Sequence, residues 1–218
     1  MVRERLATAL RGVEERVLFM GEHAKGMLHD SLQSLADLDA ELAEAVAARC
    51  ELLADLDEDI EHSILQLMAL QTPVASDLRR LGAAMKLITY LNRIGRYGFD
   101  IAKVVKAWPE GKGHIANTVG IKEMGKKVEQ MLNIALEAFA SSEVPAVDAV
   151  RALEEDVDAM RAMIFRECLT YMMEDSQAIE RGTQYVMVAR YLERCGDNIC
   201  KMVEKLHYAA TGERLLLH

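Results

Sequence analysis

Proline is scarce in this sequence. Only Pro73, Pro109 and Pro145 punctuate 218 residues, so long helices meet few obstacles. Aromatic residues amount to 5%, a poor endowment for the strands in which aromatic and β-branched side chains concentrate. An excess of positive charge is also absent. Lys and Arg number 26 against 35 Asp and Glu, a net charge of −9, which argues against a nucleic-acid partner because phosphate-backbone binders present a basic face. The four cysteines, Cys50, Cys168, Cys195 and Cys200, form no CxxC pair. Reduced thiols in a cytosolic protein are the expected reading. No apolar run approaches the ~18 residues of a membrane span. The opening MVRERLATAL has no signal-peptide core either. A soluble, cytoplasmic protein without an integral membrane segment is expected.

What is present is helical composition. Hydrophobic residues make up 51%, and alanine, leucine, methionine, glutamate and lysine dominate. From about Arg3 to Ser34, apolar residues recur at helical spacing through Leu6, Leu10, Val13, Val17, Met20, Ala24, Met27 and Leu28. Asp37 and Asp39 are turn and cap candidates before a second periodic stretch that ends near Leu70. Thr72-Pro73 has the form of a helix start, a capping hydroxyl followed by proline at the first helical position. The third stretch runs to about Ala107, where Trp108-Pro109-Glu110-Gly111 stops it. The segment from Lys106 to Asn117 is the one plausible linker. Three further stretches follow, from Thr118 to Ala140, Pro145 to Met173 and Ile179 to Thr211, with Ser142 and Ser176 as candidate caps.

The second half repeats the first. Met20/Met124, Gly21/Gly125, Met27/Met131, Leu28/Leu132 and Leu32/Leu136 match at an offset of 104 residues. The same offset pairs Leu56 with Met160, Ile60 with Ile164 and Met68 with Met172. In the third helices, YLNRIGR (Tyr90–Arg96) matches YLERCGD (Tyr191–Asp197) at an offset of 101, so one connection is shorter in the second copy. The expected fold is all-α: two tandem antiparallel three-helix bundles related by internal duplication, over residues 1–108 and 114–218. Helices of about 30 residues are roughly 45 Å long at 1.5 Å per residue.

Chemistry, where the sequence offers any, lies in carboxylates. Glu154 and Asp158 are four apart, as are Glu193 and Asp197, so each pair shares a helix face. Adjacent helices would bring the four together, and a hard cation would relieve their mutual repulsion. In so acidic a chain, the same spacings also occur on solvated helix faces. The remaining features have plain structural readings. Asp77 suits the dipole of the third helix, and Arg79 is expected in a structural ion pair. The thirteen methionines are expected to fill core gaps, and Cys195 and Cys200 to be small buried side chains. Arg93 and Arg194 flank the acidic positions and are expected to neutralise acids on neighbouring helices, in competition with a cation. Glu204 and His207 form a single E-x-x-H, which lacks the second copy and extra glutamates of a di-metal enzyme.

LQTPVASDLRRL (Leu70–Leu81), YLNRIGR, LTYMMEDS (Leu169–Ser176) and YLERCGDNI (Tyr191–Ile199) together resemble the PhoU family of phosphate-uptake regulators. The resemblance covers almost the whole chain, in both halves and in order. It implies a non-enzymatic, cytoplasmic homodimer acting on the phosphate-specific ABC transporter, with its nucleotide-binding subunit as partner and a sensor kinase as a second one. It also implies acidic motifs that bind metal ions or clusters. These fall on Glu154, Asp158, Glu193 and Asp197, with iron, manganese, zinc or magnesium as the cation. The first copy departs from this pattern. Its equivalent positions are Cys50, Ala54, Asn92 and Arg96, without one carboxylate. A metal site is therefore expected in the second bundle only, with Arg96 free to pair with Asp57 or Glu61. Open positions on such a cation would be a route to phosphate. A metal-dependent enzyme and a ligand-free helical scaffold are the competing readings. The first lacks a nucleophile with an oriented base.

Overall fold

The computed structural model describes residues 2–115 and 119–217, and every regular element among them is helical. The first unit comprises α1 (Val2–Asp37), α2 (Ala40–Ala48), α3 (Cys50–Leu70) and α4 (Ala75–Lys106). The second comprises α5 (Val119–Ser141), α6 (Val147–Glu174), a single 3-10 turn (Ser176–Ala178) and α7 (Ile179–Thr211). Asn117 and Thr118, expected at the linker's end and the start of the fourth long helix, lie outside the described residues.

The second periodic stretch is thus two helices that break at Arg49. The break is held from α1: the Arg49 guanidinium lies 2.6 Å from the Asp30 carboxylate, and the His23 ring donates to the Arg49 carbonyl at 3.1 Å. Asp39 is the cap of α2, accepting from the Glu41 and Leu42 amides at 2.9 and 3.0 Å. The other expected caps moved. Helix α4 begins two residues beyond Pro73, because the Asp77 carboxylate reaches back to the Val74 amide (3.4 Å) and takes the donor that Thr72 was expected to serve. At the end of α6 the cap is Asp175, which accepts from the Gln177 amide at 2.9 Å, and Ser176 opens the 3-10 turn. Ser142 caps no helix start. It lies just past the end of α5 with φ 58°, and its counterpart Leu38 lies just past α1 with φ 53°. Among the described residues, the two non-glycine positions with positive φ are therefore repeat equivalents, marking a left-handed helix end in each copy.

The copies pack through equivalent residues exchanged. A Cβ placed on Gly21 of α1 would meet the Leu136 side chain of α5 at 2.4 Å, and one on Gly125 of α5 would meet Leu32 of α1 at 2.5 Å. Each contact is the other with the repeats swapped, which is the signature of a pseudo-twofold axis. The pairing also shows that α1 and α5 run antiparallel. Lys25 to Asn133 (3.2 Å) and His29 to Glu129 (2.9 Å) continue it at the surface. Beside this seam α4 packs on α7, with the Tyr97 and Tyr191 rings stacked at 5.9 Å. One continuous apolar core runs through both units, including Met20, Met27, Leu28, Leu87 and Leu91 of the first and Met124, Met131, Leu132, Val188 and Leu192 of the second. Met20, Met27, Met124, Met131 and Met202 are core residues and Met68, Met160 and Met172 pack against the core, as expected, but Met163, Met173 and Met187 are exposed on α6 and α7.

The linker is tied down through Ile115. Trp108 donates its indole N–H to the Lys112 carbonyl at 3.0 Å and packs edge-on against Tyr185. His114 donates from Nε2 to the Ala36 carbonyl at 3.0 Å, which leaves Nδ1 to accept from the Tyr185 hydroxyl. Arg181 donates to the Gly113 carbonyl at 3.0 Å. This ordered strap connects the C-terminal ends of α1 and α4 to α7.

Candidate functional site

The four acids singled out by spacing lie on α6 (Glu154, Asp158) and α7 (Glu193, Asp197), two helices packed side by side. Their surroundings differ. Glu154 is buried, Asp158 is exposed, and Glu193 and Asp197 are intermediate. Glu193 is the most heavily engaged. Arg190 of its own helix donates to both carboxylate oxygens, at 2.6 Å to Oε1, and Arg161 of α6 lies 3.5 Å from Oε1. Such charge-assisted contacts neutralise the acid and fix its orientation. Asp197 accepts from Arg194 at 3.2 Å. Arg194 therefore pairs along its own helix, not with a neighbouring one as expected. The Cys200 thiol lies amid the acids and is pushed up to about 12, by burial first and then by Glu154, Asp197 and Glu204. Glu154 of α6 and Asp197 of α7 thus act on one buried point.

Among the described residues, no three His, Cys, Asp or Glu side chains converge closely enough to hold a metal ion. The donor set is nevertheless of the right chemistry, carboxylates from two adjoining helices. What stands between the acids and a cation is arginine. Arg190 and Arg194 are 43% and 47% exposed and contact acids three residues away on the same helix. Only the Arg194–Asp197 pair is of the solvent-exposed kind worth about 0.2–1 kcal/mol; Glu193 is 12% exposed and held by both Arg190 and Arg161. A cation bound there would have to displace Arg190, Arg194 and also Arg161. Held there, it would supply positive charge with open positions for an anionic group.

In the first unit the equivalent ground is occupied differently. Asn92 donates to the Asp57 carboxylate at 2.6 Å, so Asp57 does not serve Arg96. Arg96 lies beside the Cys50 thiol, whose pKa is raised, by burial first and also by Asp100, with Arg96 and Lys103 offsetting only part. The repeat relation exposes a residue that the acid-based reading missed. Asp57 corresponds to Arg161, and Asn92 corresponds to Glu193. One cross-helix contact persists in both units with its polarity reversed: acid to amide in the first, guanidinium to acid in the second. The signal was available at the 104-residue offset, on a residue that is not an acid.

The cysteines are structural. Cys168, Cys195 and Cys200 are buried, and burial raises all three thiols, Cys168 to about 11. Thiolate fractions near neutral pH are negligible at these three. A thiol-titrating disulfide reagent is expected to label Cys50 alone in the folded protein and all four after denaturation. Fast labelling of a second thiol under native conditions would refute this.

Comparison with known proteins places the geometry in a family. The model for the PhoU domain matches residues 17–105 and again 121–206. The phosphate-specific transport system accessory protein PhoU homolog of Clostridium acetobutylicum is 32% identical over 219 residues, covering 100% of both chains. The homolog of the same name in Caulobacter vibrioides is 37% identical over 196 residues, covering 90% of this chain and 85% of the relative. Among solved structures, PhoU from Pseudomonas aeruginosa superimposes with a TM-score of 0.90 at 28% identity, over 95% of this chain and 99% of that one. The phosphate transport system regulatory protein PhoU from Streptococcus pneumoniae gives 0.86 at 28% identity, over 96% and 99%.

Proposed function

The chain belongs to the PhoU family, and from that premise we propose that it is an accessory regulator of phosphate uptake that works by protein contact. Its partner in this reading is the nucleotide-binding subunit of a phosphate ABC transporter. It carries out no catalysis of its own. The observation that carries the contact reading is an apolar stripe on α6. Phe165, Leu169 and Met173 recur every four residues and are 43%, 41% and 87% exposed. Their counterparts in the first unit are Glu61, Leu65 and Ala69, so the stripe belongs to the second unit. Exposed apolar side chains clustered on one helix face mark an interaction surface more often than idle surface. Glu154 and Asp158 lie further along the same helix. A cation held by Glu154, Asp158, Glu193 and Asp197 would therefore adjoin the contact face and could bias it.

The test is co-purification with the nucleotide-binding subunit. Wild-type protein is expected to be retained, and Leu169→Glu to weaken retention at least about tenfold, which corresponds to ~1.4 kcal/mol. In the same preparations, manganese or iron is expected to bind the wild type and not a Glu193→Gln, Asp197→Asn variant. Equal retention of wild type and Leu169→Glu would sink the contact reading. Equal metal content in the two preparations would sink the cation reading.

A further inference from the structure

We propose that a cleft at the junction of the two units binds a tetrahedral oxyanion through Arg79, independently of any metal. The cleft has a volume of about 170 Å³ and is lined by Glu14, Ser76, Arg79, Arg80, Ser142 and Glu143 over an apolar floor that includes Phe139 and Leu206. At ~30 Å³ per water this is room for a small oxyanion with part of its hydration shell. The inference deepens the phosphate reading above by giving the chain an anion site of its own.

The two arginines differ in how far their charge is used. Arg80 forms an ion pair with Glu14 of α1 and donates to the Ser142 hydroxyl at 3.2 Å. Ser142 accepts there, so its own O–H is left to donate into the cleft. Arg79 is half-buried. Its one described hydrogen bond is from Nε to the Ala209 carbonyl in the last turn of α7, at 3.5 Å. That carbonyl and the Gly212 turn position the guanidinium, but they leave both terminal nitrogens uncommitted. The expected ion pair for Arg79 is not formed among the described residues; its described contact is to a carbonyl. The other acid lining the cleft, Glu143, is exposed. In a chain of net charge −9, a half-buried guanidinium without a carboxylate is the group an incoming anion would meet.

The repeat supplies an independent argument. Across the pseudo-twofold axis, Arg80 has an arginine as its counterpart, Arg181, whereas Arg79 corresponds to Glu180, Ser76 to Gln177 and Ser142 to Leu38. The fold thus retains the residue that ties helices together and dispenses with the cleft's remaining polar groups. A cation at position 79 is not a requirement of the helix junction. It belongs to this cleft, where two guanidiniums and two hydroxyls share one small space with the Glu14 and Glu143 carboxylates, Glu14 being paired with Arg80.

The decisive measurement is titration of inorganic phosphate into chelator-treated full-length protein, by calorimetry or phosphorus NMR. Saturable binding is expected without metal. Affinity should fall at least tenfold in Arg79→Gln, fall a few-fold in Ser142→Ala and recover in part in Arg79→Lys. It should be unchanged in the Glu193→Gln, Asp197→Asn variant. Sulfate is expected to compete, since recognition is of a tetrahedral oxyanion. Melting curves establish that Arg79→Gln is folded. No phosphate binding, binding indifferent to Arg79, or binding lost on metal removal would each overturn the proposal. Loss of the site would leave retention by the transporter subunit untouched, so the two readings fail separately.

Discussion

Gly98→Ala is expected to destabilise the protein while Gly82→Ala, sixteen residues earlier in the same helix, stabilises it. A Cβ on Gly98 would lie 3.0 Å from both the carbonyl carbon and oxygen of Met27 and 3.1 Å from the Leu28 nitrogen. These are backbone atoms of α1 in the middle of the core, so they cannot rotate aside as a side chain would. Overpacking of this kind costs about 1–3 kcal/mol, offset by the ~1 kcal/mol by which alanine improves on glycine in a helix. At Gly82 nothing lies within 4 Å of the added methyl, so only the propensity gain remains. The two variants should differ by about 2 kcal/mol, or roughly 4–8 °C in Tm for a chain of this size. Gly95 provides a graded intermediate, because its added Cβ meets the end of the Leu53 side chain at 2.4 Å, and a leucine can repack. At Gly196, the repeat equivalent, the nearest atom is Val157 at 3.7 Å, and alanine should be tolerated. Equal melting temperatures for Gly98→Ala and Gly82→Ala would mean that α1 and α4 are not in backbone contact at Met27.

The second large effect is expected at Lys201. Its ammonium lies 2.8 Å from Glu204, a carboxylate only 4% exposed that also accepts the Leu217 amide at 3.1 Å. Glu204 thus anchors the returning C-terminal segment to α7. Lys201→Met removes the one cation that, among the described residues, pairs with this buried acid. Breaking a buried pair costs about 3–5 kcal/mol, and Lys201 is 37% exposed, so ~2 kcal/mol is the reasonable expectation. Adding Glu204→Gln to Lys201→Met should restore part of the loss, since an amide needs no counter-charge and its oxygen can still accept from Leu217. Denaturant midpoints for the single and double variants close the cycle. Additive effects would show that the acid and the lysine do not act as a pair.

Both predictions rest on features with different visibility in the sequence. That these segments are helices, and that there are two similar sets, follows from spacing and from the repeated glycines and methionines. The loss of all four acids from the first unit needed only the two offsets. The break at Arg49 was hidden because periodicity runs straight through it, and it is imposed from α1 by Asp30 and His23. The start of α4 was misread for a similar reason. Thr72-Pro73 has the right local chemistry, but Asp77 reaches the orphan amide two residues later and wins it.

The acidic face divides along the same line. Placing Glu154, Asp158, Glu193 and Asp197 on two helix faces is a one-dimensional statement, and the sequence alone determined it. Which groups answer those acids depends on the rotation of α6 against α7. That rotation is set by packing over the whole core, and it decided that Glu193 faces Arg161 across the helices and that Cys200 lies among the acids. The cleft around Arg79 is a still clearer case. Its walls come from α1, α4, the end of α5 and α7, residues as far apart as Glu14 and Ala210. No local pattern joins them. They meet because the duplicated units pack about a pseudo-twofold axis, which leaves one guanidinium at the junction without a carboxylate.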